Sequence, residues 1–126
     1  LGRRLQTLDG RWHEMAGVLP ADTRVLERRK ALRYVEVKLL DDSLWGRRGD
    51  CLRGHEFHYS ELTNDPTGTG SVRRVYELRR PRAGEAVQEG FASGSVLASY
   101  VHLHMAARPS AVEHFVSYCE RRQAKV

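Results

Sequence analysis

Apolar and polar side chains alternate over LRYVEVKLL (32–40), with Val35, Val37 and Leu39 on one side and Leu32, Tyr34, Glu36 and Lys38 on the other. A period of two predicts a strand with one buried face. HEFHYSEL (55–62) predicts a second, whose pleat sends His55, Phe57 and Tyr59 one way and Glu56, His58 and Ser60 the other. VRRVYELRR (72–80) predicts a third strand, and the glycine-interrupted stretch ending in SVLASYVHLHM (95–105) a strand pair or one bent strand. PSAVEHFVSYCERRQ (109–123) changes period: Pro109 suits a first turn, and Val112, Phe115, Val116 and Cys119 make an i, i+3, i+4, i+7 stripe. Arg121 and Arg122 favour the negative end of the dipole, so a helix is predicted there.

The opening reads differently. LGRRLQTL (1–8) has leucines at helical spacing with no cap before them, and Asp9-Gly10 stops the pattern. The chain therefore reads as starting inside a helix, that is, as a fragment. MAGVLP (15–20) suggests a brief buried strand and ADTRVLERRK (21–30) a connection. DDSLWGRRGDCL, NDPTGTGS and PRAGEAVQEG are turns or loops by composition. The expected architecture is a mixed sheet of strands near 32–40, 53–62, 72–80 and 95–104 with one terminal helix on a face.

At 126 residues the chain is one domain or part of one. No run approaches the ~18 apolar residues of a membrane span, and residues 1–5 lead into no apolar h-region. Two cysteines, Cys51 and Cys119, are too few for a disulfide framework and lack zinc spacing, so a reduced, cytoplasmic setting is expected. The net charge of +5 arises from arginine pairs spread along the chain without interleaved aromatics, which reads as a solvated surface and not a nucleic-acid stripe.

Four of the six histidines fall in RGHEFHYS (53–60) and ASYVHLHM (98–105). A metal site would need His102 and His104, which share a pleat face, plus a third ligand from Glu56 or His58; His55 and His58 point to opposite faces and cannot grip one ion together. A lone histidine more often satisfies a sheet-edge hydrogen bond, but two clusters in one small domain weaken that explanation. The remaining reading is acid-base chemistry. Tyr100, His102 and His104 are placed on one face at a strand end, where an imidazole can take a thiol proton, a service worth roughly 10²–10⁴-fold. Cys51 follows an Arg-Arg-Gly-Asp turn and Cys119 lies on the predicted helix stripe, so the base is visible and the nucleophile is missing.

RGHEFHYS followed by GSVLASYVHLHM and a Pro-initiated helix closely resembles the C-terminal end of the cobyrinate a,c-diamide synthase family, within the class I, triad-type glutamine amidotransferases that amidate corrins. The opening LGRRLQTLDGRWHEMAGVLP is similar to that family's segment directly after its nucleophile elbow, and ALRYVEVKLL to the next strand. The likeness covers essentially all 126 residues. It implies a flavodoxin-like α/β glutamine amidotransferase fold of which this chain is the C-terminal portion. It also implies an N-terminal P-loop synthetase domain that activates a corrin carboxylate with ATP and Mg²⁺; this chain itself would hold neither. An elbow cysteine attacks glutamine and releases ammonia for that carboxylate.

The family's catalytic histidine is the first of the His-x-His pair, here His102. His104 stands where other triad amidotransferases carry a glutamate, and its membership of the triad is open. His55, Glu56, His58 and Tyr59 match the second signature and are expected to support the site or the domain contact. The family's cysteine lies a few residues before the position matching Leu1. Residues 1–126 thus read as a partial domain, inactive alone, lacking elbow and synthetase domain. Its expected partners are the missing N-terminal part, glutamine and a corrin or related tetrapyrrole carboxylate, and an uncovered apolar face would invite homodimers. The other reading is a non-catalytic remnant that binds a partner protein or a tetrapyrrole carboxylate through its arginines.

Overall fold

The computed structural model describes residues 1–80 and 84–123. β1 (Arg4–Gln6), β2 (Trp12–Glu14), β3 (Asp22–Val25) and β6 (Ser60–Leu62) form a four-stranded sheet in the order β2-β1-β3-β6. A six-stranded sheet runs β10-β5-β4-β7-β8-β9, from β4 (Ala31–Leu39), β5 (Cys51–His58), β7 (Arg73–Arg79), β8 (Val87–Ser93), β9 (Val96–Ala98) and β10 (Val101–Leu103). The helix α1 spans Pro109–Gln123. The chain is α/β with mixed pairing and a terminal helix, as expected; its parallel pair, β1 with β3, lies in the smaller sheet.

Several local expectations give way. Residues 1–8 hold strand β1, not a helix tail: so short a helix has too few internal bonds to offset the cost of nucleation. The Asp9-Gly10 turn instead folds β1 back on β2 with Leu5 opposite His13, Gly10 adopting φ 82°. MAGVLP forms no strand and is pinned by single backbone bonds such as Gly17 N–H to Gly2 O at 2.8 Å. The supposed connection at 21–30 contains β3, held where buried Asp22 accepts from Arg4 Nη2 at 2.6 Å. That hydrogen bond, chiefly, holds the Asp22 carboxyl below its usual range. The strand expected over 53–62 bends at Tyr59, so β5 serves the large sheet and β6 the small one. Part of PRAGEAVQEG lies outside the described residues, and its end, expected as loop, begins β8 at Val87.

The stretch 95–104 gives the most consequential result. β9 and β10 sit at opposite edges of the six-stranded sheet yet are separated in sequence by two residues, Ser99 and Tyr100. A flat sheet with strands ~4.8 Å apart would hold those edges about 24 Å apart. Three Cα steps reach at most about 11 Å. The sheet must therefore curl until its edges nearly meet.

Its inner surface carries Val35, Val37, Leu39, Leu52, Tyr76, Leu78 and Val101, all at most 8% exposed. The terminal helix joins this core through Ala111, with Phe115 stacked on Trp45 at 4.9 Å between centroids. That attachment rotates the contact face away from the expected stripe. Phe115 is half-buried, but Val112 and Val116 are 36% and 49% exposed, and Cys119 is exposed.

Candidate functional site

The outer surface of β4, β5 and β10 assembles the sequence motifs. Antiparallel register sets His102 opposite His55, and His55 opposite Tyr34, a row across three strands. The His55 and His102 rings lie 4.9 Å apart, tilted by 52°. Phe57 stands opposite Leu32 beside this row, and Tyr59 meets Phe57 edge-on at 5.8 Å. This surface is uncovered: Tyr34 is 80% exposed, Leu32 58%, Phe57 43% and Tyr59 46%. So large an apolar and aromatic area on one face is a mark of an interaction surface. His104 is exposed at the start of a short 3₁₀ turn, where its N–H donates to Arg53 O at 2.8 Å.

The inward half of the RGHEFHYS motif has a structural part. Glu56 is 4% exposed and lies 2.9 Å from Arg33 Nε and 3.4 Å from Arg80 Nε. His58 stacks on Tyr100 at 4.1 Å, and its Nδ1 is 2.7 Å from Ser60 O. Tyr100 does not share the face of His102 as the alternation suggested. The chain bends at Ser99–Tyr100, turning the ring inward, where its hydroxyl lies 3.0 Å from Ser60 Oγ. Burial pushes that hydroxyl's pKa up, so the phenol stays neutral. Glu56 and His58 are thus on the face opposite His102 and cannot complete a metal site with it. Among the described residues no group of three His, Cys, Asp or Glu side chains could hold a metal ion.

Two residues that the motif reading passed over hold β10 in place. Gly54, buried within β5, lies opposite Leu103; a Cβ there would stand 2.5 Å from His102 O and 2.7 Å from Val101 Cγ1. A glycine inside an alternating strand is the signal for such close approach. Glu89 on β8 is 9% exposed, and its carboxyl accepts from Ser99 Oγ at 2.5 Å and Tyr100 N–H at 2.9 Å. Burial raises its pKa, opposed by those hydrogen bonds. No signal in the sequence marks it: PRAGEAVQEG reads as a loop by composition, and the buried positions of β8 around Gly90 do not alternate.

A model of the CobB/CobQ-like glutamine amidotransferase domain matches residues 1–110. The chain is 43% identical over 119 residues to the cobyrinate a,c-diamide synthase of Syntrophotalea carbinolica, covering 94% of this chain and 26% of that protein. It is 34% identical over 122 residues to the enzyme of the same name from Leptospira interrogans serovar copenhageni, covering 97% of this chain and 26% of the relative. The Methanocaldococcus jannaschii enzyme of that name is 35% identical over 106 residues, or 84% of this chain and 23% of the relative. The chain thus spans about a quarter of the length of these relatives. No solved structure matches.

Proposed function

The chain belongs to the CobB/CobQ-like glutamine amidotransferase domain family, and on that premise we propose that it is the C-terminal, base-bearing half of a glutaminase site in an enzyme of the cobyrinate a,c-diamide synthase kind. The observation that carries the proposal is the His102–His55 pair on an uncovered aromatic sheet face. Such a surface suits a second segment bearing the nucleophile, which we assign to the N-terminal part of the same enzyme.

In this reading His102 takes the proton of a cysteine thiol supplied by that segment. The thiolate attacks the side-chain amide carbon of glutamine, and the imidazolium returns the proton to the leaving nitrogen as ammonia. Water then splits the acyl-enzyme to glutamate. His55 packs against His102 and limits its ring orientation, while Tyr59, Phe57 and Tyr34 form the contact surface for the segment. His104, exposed two residues on, is available as a third member. Ammonia passes to a corrin or related tetrapyrrole carboxylate activated with ATP and Mg²⁺ by the synthetase part. This chain's donor set does not fit that pair: it carries no Gly-x-x-x-x-Gly-Lys loop, so no step here runs through them.

His102→Asn in the full-length enzyme tests the assignment. Asparagine keeps some hydrogen bonding but cannot accept the proton, so glutamine-dependent amidation falls by about 10²–10⁴-fold while amidation from free ammonia persists. Intact glutamine use in this variant, with loss in His104→Asn, would move the base to His104. The chain by itself releases no ammonia from glutamine; release sensitive to His102→Asn would place the nucleophile on Cys51 or Cys119.

A further inference from the structure

The proposed base stands on an edge strand of three residues, β10, which by itself could not hold a ring in one place. On one side β10 pairs with β5. At its start it is fed by the Ser99–Tyr100 bend that crosses from the far sheet edge; the Tyr100 ring rests on His58 and Ser60, but the Ser99 hydroxyl and the backbone donors of the bend converge on one side chain. The Glu89 carboxylate accepts from Ser99 Oγ at 2.5 Å and from Tyr100 N–H at 2.9 Å, and Ser99 Oγ in turn accepts from Val101 N–H at 2.8 Å. One buried acid thereby satisfies, directly or through one hydroxyl, the donors of three successive residues ending next to His102.

We infer that Glu89 is a positioning residue for the amidotransferase base: by closing the gap between the two sheet edges it sets where β10 begins and so where the His102 ring stands. The inference rests on the reading of His102 as the base, but its geometry can be tested apart from it. At the other end of β10, His104 N–H is already committed to Arg53 O at 2.8 Å. Glu89 lines a cleft of about 210 Å³ in which Leu19, Phe91 and Ala98 carry no side-chain acceptor and Thr23 is the one hydroxyl besides those of Ser99 and Tyr100, so no second carboxylate is there to take its place. Glutamine at this position can keep the arrangement, its carbonyl oxygen accepting from Tyr100 N–H and its amide donating to Ser99 Oγ. Alanine cannot.

The test has two arms. In this chain, the proton–proton proximity of the His55 and His102 rings is read by NMR, with the Trp45–Phe115 stack as a check that the fold persists. The proximity signal should survive Glu89→Gln and vanish in Glu89→Ala. In the full-length enzyme, Glu89→Ala should lower kcat for glutamine by about 10²-fold, the usual consequence of a misplacement near 1 Å. KM for glutamine and the ammonia-dependent rate should hold, and Glu89→Gln should restore kcat. Should Glu89→Ala fail to fold, Ser99→Ala, which removes two of the three hydrogen bonds and leaves Tyr100 N–H on Glu89, carries the same two readouts with a smaller effect. A proximity signal that persists in Glu89→Ala, or one that vanishes while kcat stays unchanged, overturns the inference. If His102→Asn itself leaves glutamine use intact, the base assignment falls while the NMR arm still decides whether Glu89 places β10.

Discussion

Replacing Gly54 by alanine should dislodge the strand that carries His102. An alanine Cβ at this position would stand 2.5 Å from the carbonyl oxygen of His102, where ordinary contact begins at 3.4 Å. The obstacle is backbone, so no side-chain rotation relieves it, and β10 must retreat by about 0.9 Å against its pairing with β5. Overpacking of this kind costs about 1–3 kcal/mol, and a backbone obstacle belongs at the upper end. Alanine also narrows the unfolded ensemble, returning about 0.4–1 kcal/mol. The net loss is about 2 kcal/mol. For 126 residues the unfolding entropy is about 0.26 kcal/mol/K, so Tm should fall by about 8 °C. Gly68→Ala is the control: a Cβ there meets nothing within 4 Å, and its Tm should hold or rise by about 2–4 °C. Calorimetry gives both values, and amide exchange at His104, whose N–H is bonded to Arg53 O, and at His102, two residues before it on the same edge, shows whether β10 has loosened. A Gly54→Ala chain that melts with the parent and keeps those amides protected would refute the steric reasoning.

Three further outcomes are expected. Glu56→Gln removes the charge between Arg33 and Arg80, whose side chains are 39% and 21% exposed and can partly rehydrate; the loss should be about 1–3 kcal/mol by urea unfolding, below the ~3–5 of a fully buried pair. Cys51→Ser and Cys119→Ser should each shift Tm by less than about 2 °C, because both thiols are exposed and neither substitution buries a hydroxyl. Glu61, bonded to Arg24 and Lys30, has its pKa lowered to about 2; a depressed carboxyl stabilises the fold above its unfolded value, so this contribution should be lost as pH falls toward 2, and Glu61→Gln should flatten that part of the stability profile.

What the chain discloses by pattern is what one element decides alone. β4 alternates because a sheet face must be buried, and Pro109 with the terminal arginines marks both ends of the helix. The face that helix buries was not readable. Val112 and Val116 are as apolar as Ala111 and Phe115, and the choice is made by Trp45, far earlier in the chain. The same holds for Leu1, Leu5 and Leu8. Their spacing fits a helix, but the backbone partners that β2 and β3 offer to β1 outweigh it. Nor does local pattern show that β9 and β10 lie at opposite sheet edges, since the two residues between them look like any turn. At the site, alternation correctly separates His55 from Glu56 and His58, and fails at Tyr100 because the bend breaks the period just before β10.

That bend explains how the site is held. On the proposed reading His102 meets the substrate from an outward face, and an exposed ring has few neighbours to fix it. Its placement comes from the other surface of the same sheet. Gly54 lets β10 approach, Glu56 ties β5 to Arg33 on β4, and Glu89 anchors the chain entering β10. Alternation lets one short run do both jobs, its odd positions presenting His55, Phe57 and Tyr59 while Gly54, Glu56 and His58 face in. A substitution on the inner surface can therefore read as a catalytic defect without touching the chemistry. Glutamine and ammonia rates, measured side by side, separate a ring that is absent from a ring that is displaced only when paired with the His55–His102 proximity measurement. His102→Asn removes the acceptor and leaves β10 paired, whereas Gly54→Ala or Glu89→Ala leaves the acceptor and moves the strand.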